Sequence, residues 1–250
     1  ILANGWEQPC NGQASCSDGT LDARNLRLLT REEYFNSVSD IFAMAFPADL
    51  MASVPVDGRL RNFDTASFLV ADYERTLGYE MVAARVASLV VAENNFNNLA
   101  GTCSNVRCVV ESLGRKIFRR PLTTTEANRY TQLYDAADAG KAVLQALLMS
   151  PHFMYRSEMG VADAATNHHR LTPHEIATLL SYTFHATTPD EILLAAADSG
   201  QLNITQQVQR LLADPRAERG LRRFIAGWLI NNQYGFAAIS DVALVEAFKK

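Results

Sequence analysis

The apolar residues of this chain recur at helical spacing through nearly every segment that looks ordered. Tyr34, Val38 and Ile41 fall on one face of a helix. Thr30, followed three residues later by Glu33, forms the capping box that starts this helix. Strand-type alternation is scarce, so the sequence predicts an all-α fold. Further helices are predicted at residues 72–93, 106–120, 124–134 and 141–149, and after Pro151, Pro173, Pro189 and Pro215.

The predicted organisation is a series of small helical-bundle domains packed together. Residues 1–27 are rich in Gly, Asn, Gln, Ser and Cys, and we interpret them as a disulfide-pinned N-terminal loop region. The first helical domain is predicted at 28–100 and the second at 101–160. A small, polar stretch at 161–168 is interpreted as a linker. The third domain, 168–250, is expected to continue in the rest of a parent protein, because the helical pattern is still running at its end.

The charge balance argues against a nucleic-acid-binding protein. The chain has 250 residues, a net charge of −4 and 48% hydrophobic residues, as in an ordinary globular protein. Its most basic cluster, Arg115-Lys116 with Arg119-Arg120, has helical spacing and is interpreted as a solvated or ion-paired face. No apolar run is long enough for a membrane span. We therefore expect the chain to bind no nucleic acid and to have no membrane-spanning segment.

Four cysteines occur as two close pairs, Cys10 with Cys16 and Cys103 with Cys108. Four cysteines allow three connectivities, and local pairing closes the smallest loops. Free buried thiols and a metal site are the alternatives, although both spacings are wider than those of common zinc sites. Disulfides would indicate an oxidising compartment. The expected location is therefore the periplasm, the cell surface or the exterior of the cell.

Four collinear stretches carry a family resemblance. Arg27–Asn36 contains "LTRxEYxN", Phe118–Thr123 reads "FRRPLT", Leu144–Glu158 contains "LQAxLxSPxFxYRxE", and Arg170–Tyr182 contains "RLTPxEIAxxLSY". This pattern resembles a group of planctomycete and myxobacterial multidomain proteins described as cytochrome-c-associated. The resemblance implies consecutive helical domains of unestablished function, often secreted and often accompanied by a c-type haem domain.

The chain also departs from that pattern. It contains no Cys-x-x-Cys-His, the sequence that attaches a c-type haem covalently. We therefore expect no cofactor in this chain, with haem c on a partner or on another part of the parent protein. His185 stands where the family's "LSYFLW" motif usually ends in an aromatic residue.

Two histidines are candidate ligands for an iron or haem. His152 follows the Ser-Pro turn, and His185 lies on a largely apolar helix. A histidine bonded to the backbone is the alternative interpretation for His152. No nucleophile elbow, phosphate loop or His-Glu-x-x-His motif occurs, so the catalytic residues stay unassigned.

Arginines dominate the motifs. Because buried guanidinium groups need partners, we expect a structural ion-pair network between helices. Asp40, Glu126 and Glu175 are further candidate acceptors. The predicted members of the network are Arg119, Arg120, Arg156 and Glu158.

Three functional hypotheses follow. The first is an extracytoplasmic helical scaffold, without its own catalytic centre, within a larger and haem-associated redox protein. Its partner would be the remainder of the parent polypeptide or a second chain, such as a c-type cytochrome domain. The second is a subunit of a secreted oxidoreductase with a His-ligated metal or haem. The third is a carbohydrate-binding module, whose aromatic platform would draw on Trp6, Tyr34, Tyr73 and Trp228.

Overall fold

The computed structural model describes residues 26–58, 70–93, 96, 99–101, 103–163 and 168–229. This part of the chain is mostly helical, with four short strands, which confirms the predicted all-α class. The helices are α1 (Arg31–Phe42), α2 (Ala48–Ala52), α3 (Tyr73–Glu93), α4 (Val106–Phe118), α5 (Thr124–Gln132), α6 (Lys141–Leu148), α7 (Pro151–Met154), α8 (Pro173–Phe184), α9 (Glu191–Asp198), α10 (Ile204–Ala213) and α11 (Ala217–Leu229). The strands are β1 (Arg27–Leu28), β2 (Tyr155–Arg156), β3 (Val161–Asp163) and β4 (His168–Arg170).

Helices α1, α5 and α8 begin with the same capping box. In each, a threonine hydroxyl accepts the backbone N–H three residues on, and the glutamate there accepts the backbone N–H of the threonine. This exchange satisfies N–H groups that a helix start leaves without partners. The pairs are Thr30 with Glu33, Thr123 with Glu126, and Thr172 with Glu175.

One hydrophobic core joins residues that the sequence assigns to two separate domains. Its buried side chains run from Leu28 to Met154 and include Tyr182 of α8. Helix α3 packs against α6 within it. The ring of Tyr34 lies fully buried near its centre, 4.5 Å from the Tyr79 ring and 5.0 Å from that of Phe153. A smaller core lies among α8, α9 and α10.

The stretch 161–168, interpreted above as a linker, begins and ends in short strands. Strand β3 pairs antiparallel with β4, with Val161 opposite Arg170. The pairing begins beside Gly160, where a side-chain Cβ would lie 2.8 Å from the carbonyl oxygen of Arg170. The lack of a Cβ at Gly160 thus permits the close backbone approach with which this hairpin begins. A second short pair, β1 with β2, joins Arg27 to Arg156.

Gly78 allows α3 to lie directly on the chain after α2, and we expect Gly78→Ala to be destabilising. An added Cβ would lie 2.4 Å from the carbonyl oxygen of Ser53, so backbone would have to move. Overpacking of this kind costs about 1–3 kcal/mol, against about 1 kcal/mol gained in helix propensity. Urea unfolding of Gly114→Ala provides the control, since there an added Cβ meets only the Leu122 side chain. Equal stability of the two variants would contradict the prediction.

Candidate functional site

The guanidinium group of Arg119 caps the short helix α7. Its Nη2 donates to the carbonyl oxygens of His152 at 2.6 Å and Tyr155 at 2.7 Å, and both Nη atoms donate to that of Phe153. A helix of one turn leaves its carbonyl groups without intrahelical partners, and a cation suits that end. Arg119 is only 3% exposed; its hydrogen bonds to Phe153 are buried, and those to His152 and Tyr155 are partly buried.

This geometry corrects the expectation that Arg119 forms an ion pair. Within the described residues its polar partners are three carbonyl oxygens and the hydroxyl of Tyr182. The physical reason is the position of α7, whose N-cap is Ser150 and which begins at Pro151. The carbonyl groups of this short helix lie next to Arg119, the C-cap residue of α4, and Arg119 therefore donates to them. Arg119 has a left-handed backbone there, with φ of 60°.

A relay of hydrogen bonds continues from Arg119 to α1. The hydroxyl of Ser37 donates to the carbonyl oxygen of Glu33 at 2.7 Å. Because the hydroxyl hydrogen of Ser37 is used in this bond, the Tyr182 hydroxyl must be the donor to Ser37 Oγ, and the two oxygen atoms are 2.8 Å apart. Nη1 of Arg119 donates in turn to the Tyr182 hydroxyl at 3.1 Å. Burial raises the pKa of Tyr182, which keeps this hydroxyl protonated as the relay requires.

The carboxylate of Glu33 lies buried beside two guanidinium groups. It accepts from Arg223 Nη1 at 2.8 Å and lies 3.6 Å from Arg156 Nη1, with a side chain 2% exposed. Burial alone would raise the pKa of Glu33. The positive charges of Arg156 and Arg223, together with hydrogen bonds from Arg223 and the Thr30 backbone N–H, outweigh that effect, so its pKa lies below the ordinary value of 4.5. Arg156 also lies over the ring of Tyr182, 5.1 Å from its centroid.

Together these side chains form what we call the arginine junction. It connects α1, the end of α4, β2, α8 and α11 around one buried volume. Its side chains interact with one another or with backbone carbonyl groups, and among the described residues Nε of Arg156 has no hydrogen-bond partner. The members are Glu33, Ser37, Arg119, Arg156, Tyr182 and Arg223.

The other expected network residues lie around this junction. Glu158 bridges Arg27 at 3.0 Å and Arg156 at 3.8 Å. Arg120 makes a bidentate pair with Glu126, at 2.7 and 2.9 Å, and this pair lowers the pKa of Glu126 to about 2. Of the other candidate acceptors, Asp40 pairs with Arg219. Glu175 instead accepts from the Ser157 hydroxyl and nearby backbone N–H groups.

His152 lies on the wall of a cleft of about 420 Å³. Its Nε2 is 3.3 Å from Oε1 of Glu126, and its ring centroid is 5.0 Å from that of Phe118. The side chain is 55% exposed. Partial burial and the positive charge of Arg120 lower the pKa of His152 against the opposing effect of Glu126. The ring is therefore neutral at pH 7.

His185 is buried and structural in its geometry. Its Nε2 is 2.9 Å from the carbonyl oxygen of Leu211, so this nitrogen carries a hydrogen and donates it. Burial lowers the pKa of His185, which favours the neutral ring. The structure does not bring the two histidines into one cluster with other ligands: the described residues include no group of three or more His, Cys, Asp or Glu side chains arranged for a metal ion.

Cys103 and Cys108 form a disulfide, with Cα atoms 5.4 Å apart, which confirms the local pairing predicted for them. The bridge holds the start of α4, where the Asn105 side chain accepts the N–H of Cys108. Cys10 and Cys16 lie outside the described residues.

Of the four aromatic residues considered for a carbohydrate-binding platform, one is excluded by burial. Tyr34 is fully buried and cannot touch a carbohydrate, whereas Tyr73 is 80% exposed. Trp6 and the side chain of Trp228 lie outside the described part.

None of the described helices has both the length and the hydropathy that a bilayer-spanning segment needs.

Two of the six junction residues, Arg119 and Arg156, are predicted from the sequence as members of an ion-pair network. Glu33 is predicted there only as a capping residue, and the sequence assigns no site role to Ser37, Tyr182 and Arg223. One usable signal was the spacing of Glu33 and Ser37, which places them on the same helix face. The partnership with Tyr182 spans 145 residues of sequence and carries no local signature.

Three family models match the chain in succession. Residues 27–92 match PSD3, a protein of unknown function (DUF1587), residues 105–158 match PSD5 (DUF1595), and residues 171–250 match PSD4 (DUF1592), both likewise of unknown function. The three matches together support a multidomain family of unknown function. No curated protein and no solved structure matches it.

The arginine junction draws on all three matched segments. Glu33 and Ser37 come from the first, Arg119 and Arg156 from the second, and Tyr182 and Arg223 from the third.

Proposed function

We propose that this chain is an extracytoplasmic helical scaffold within a larger redox protein, without a catalytic centre of its own. The observation that carries the proposal is the relay from Arg119 through Tyr182 to Ser37, which ties the three matched segments together. Side chains used to satisfy one another in a buried site are suited to fixing geometry rather than to meeting a substrate.

The location and partners belong to the same proposal. The Cys103–Cys108 bridge supports an oxidising compartment, such as the periplasm or the cell surface. The partner is the remainder of the parent polypeptide or a second chain that carries haem c. In this arrangement the scaffold holds the haem-bearing domain in position, and the electron transfer takes place there.

The junction can be tested by a double-mutant cycle between Ser37→Ala and Tyr182→Phe. We expect the two hydroxyls to be coupled by about 1 kcal/mol in urea unfolding, because each is the other's partner in a buried site. A cycle of Ser37→Ala with Thr178→Val is the control, since the Thr178 hydroxyl donates to its own helix at His174. Additive effects of Ser37→Ala and Tyr182→Phe would contradict the proposed tie.

The absence of a catalytic centre is tested optically. The purified chain is expected to show the absorption of protein alone, while the parent assembly shows that of haem. A haem band retained by the isolated chain would overturn the scaffold proposal.

A further inference from the structure

The cleft beside His152 has the size of a small-molecule site. It encloses about 420 Å³, within the range of roughly 300–1,000 Å³ for ligand pockets. It lies where the end of α4, α7 and β2 meet the start of α8. Its apolar wall is formed by Leu26, Phe118, Pro151, Tyr155 and Met159.

The charges around this cleft are already matched within the protein. Glu175 accepts from five donors of Ser157, Met159, Gly160 and Thr172. Arg120 is held bidentately by Glu126. The Nη atoms of Arg119 donate to carbonyl and hydroxyl oxygens, as described above. A charged ligand would have to break these contacts, so the cleft favours an uncharged one.

His152 supplies a hydrogen-bond acceptor in this apolar setting. Nε2 lies 3.3 Å from the carboxylate oxygen Oε1 of Glu126, although no hydrogen bond joins the two atoms. Because a carboxylate repels a lone pair, the neutral ring is expected to carry its hydrogen on Nε2. Nδ1 is then a lone-pair acceptor, and the side chain of His152 makes no hydrogen bond to the described residues. The ring lies against Phe118, and Tyr155 contributes a further aromatic surface. The complementary ligand is flat, apolar and equipped with one donor.

We propose that the cleft binds an uncharged aromatic molecule with a hydroxyl group, a phenol, whose hydroxyl donates to Nδ1 of His152. The aromatic ring of the ligand packs against Phe118 and Tyr155. This binding site goes beyond the scaffold function and does not depend on it.

The test uses three probes of similar size in an NMR titration of the chain. The phenol is p-cresol, the ether 4-methylanisole lacks the donor, and 4-methylbenzoate carries a charge. A probe of about eight heavy atoms is expected to bind with a Kd on the order of 1 mM. We expect p-cresol to move the His152 Nδ1 resonance and to bind about tenfold more tightly than the ether, the effect of one hydrogen bond. We expect 4-methylbenzoate to bind more weakly than p-cresol.

Variants assign the preference to His152. His152→Phe keeps an aromatic ring but removes the acceptor, so p-cresol is expected to bind no more tightly than the ether. His169→Phe, on β4 and outside the cleft lining, should keep the tenfold preference. Thermal unfolding confirms that both variants are folded. The proposal is overturned if p-cresol and the ether bind alike to the unmodified chain, if 4-methylbenzoate binds more tightly, or if His152→Phe keeps the preference.

Discussion

Arg119→Ala is expected to lower the free energy of unfolding by about 3–5 kcal/mol, among the largest effects of a single substitution. The change leaves the buried carbonyl oxygen of Phe153, and the partly buried ones of His152 and Tyr155, without their donor. Alanine keeps the Cβ at a residue with positive φ, so the loss reports on the guanidinium group. Urea denaturation of the purified chain at pH 7 measures it.

The neighbouring residue offers a matched control. Arg120→Ala removes a half-buried guanidinium group that pairs with Glu126, and we expect a loss of about 1 kcal/mol or less. Arg119→Lys should recover little of the lost stability, because an ammonium group cannot reach three carbonyl oxygens in the geometry of the planar fork. The capping role of Arg119 would be refuted if Arg119→Ala and Arg120→Ala destabilised the chain equally.

Glu33→Gln is expected to cost about 3–5 kcal/mol at pH 7. Glutamine keeps the shape and can still form the capping box with Thr30. It removes the negative charge, however, and leaves Arg156 and Arg223 facing a neutral amide in a buried site. Chemical unfolding followed by circular dichroism provides the measurement.

Glu126→Gln is the control for this substitution, because Glu126 has the same capping position in α5 but lies nearer the surface beside Arg120. Its expected cost is about 1 kcal/mol. A Glu33→Gln cost as small as this would contradict the assigned role of the buried charge.

The pKa of Glu33 also predicts how the stability of the chain changes with pH. Because its pKa is lower in the folded chain than the ordinary 4.5, the contribution of Glu33 is complete above that value. It is lost as the pH falls through the folded pKa. Between pH 6 and pH 3 the unmodified chain should therefore lose more stability than Glu33→Gln does. Parallel pH profiles of the two proteins would count against this prediction.

The sequence predicts local features of this fold well. The starts of α1 and α8 can be predicted at Thr30 and Thr172, because a capping box is complete within four residues of sequence. The Cys103–Cys108 pair follows from nearness along the chain. Such features need no knowledge of the rest of the molecule.

The junction could not be predicted in the same way. The positive charge of Arg119 predicts a contact with an acceptor group. Which oxygen atoms accept its hydrogen bonds depends on how α7 is oriented after Ser150. The hydroxyl of Tyr182 donates to Ser37 only because the fold brings these two side chains, one on α8 and one on α1, within hydrogen-bond distance. The hairpin of β3 and β4 includes a close backbone approach at Gly160, which side-chain patterns do not record.

The shared core has a practical consequence for anyone who wishes to dissect this polypeptide. Helices α3 and α6 bury their apolar faces against each other. Cutting the chain near residue 100 would therefore expose an apolar surface on both fragments. The segments matched by PSD3 and PSD5 thus share one hydrophobic core, and we expect either segment to need the other for stable folding.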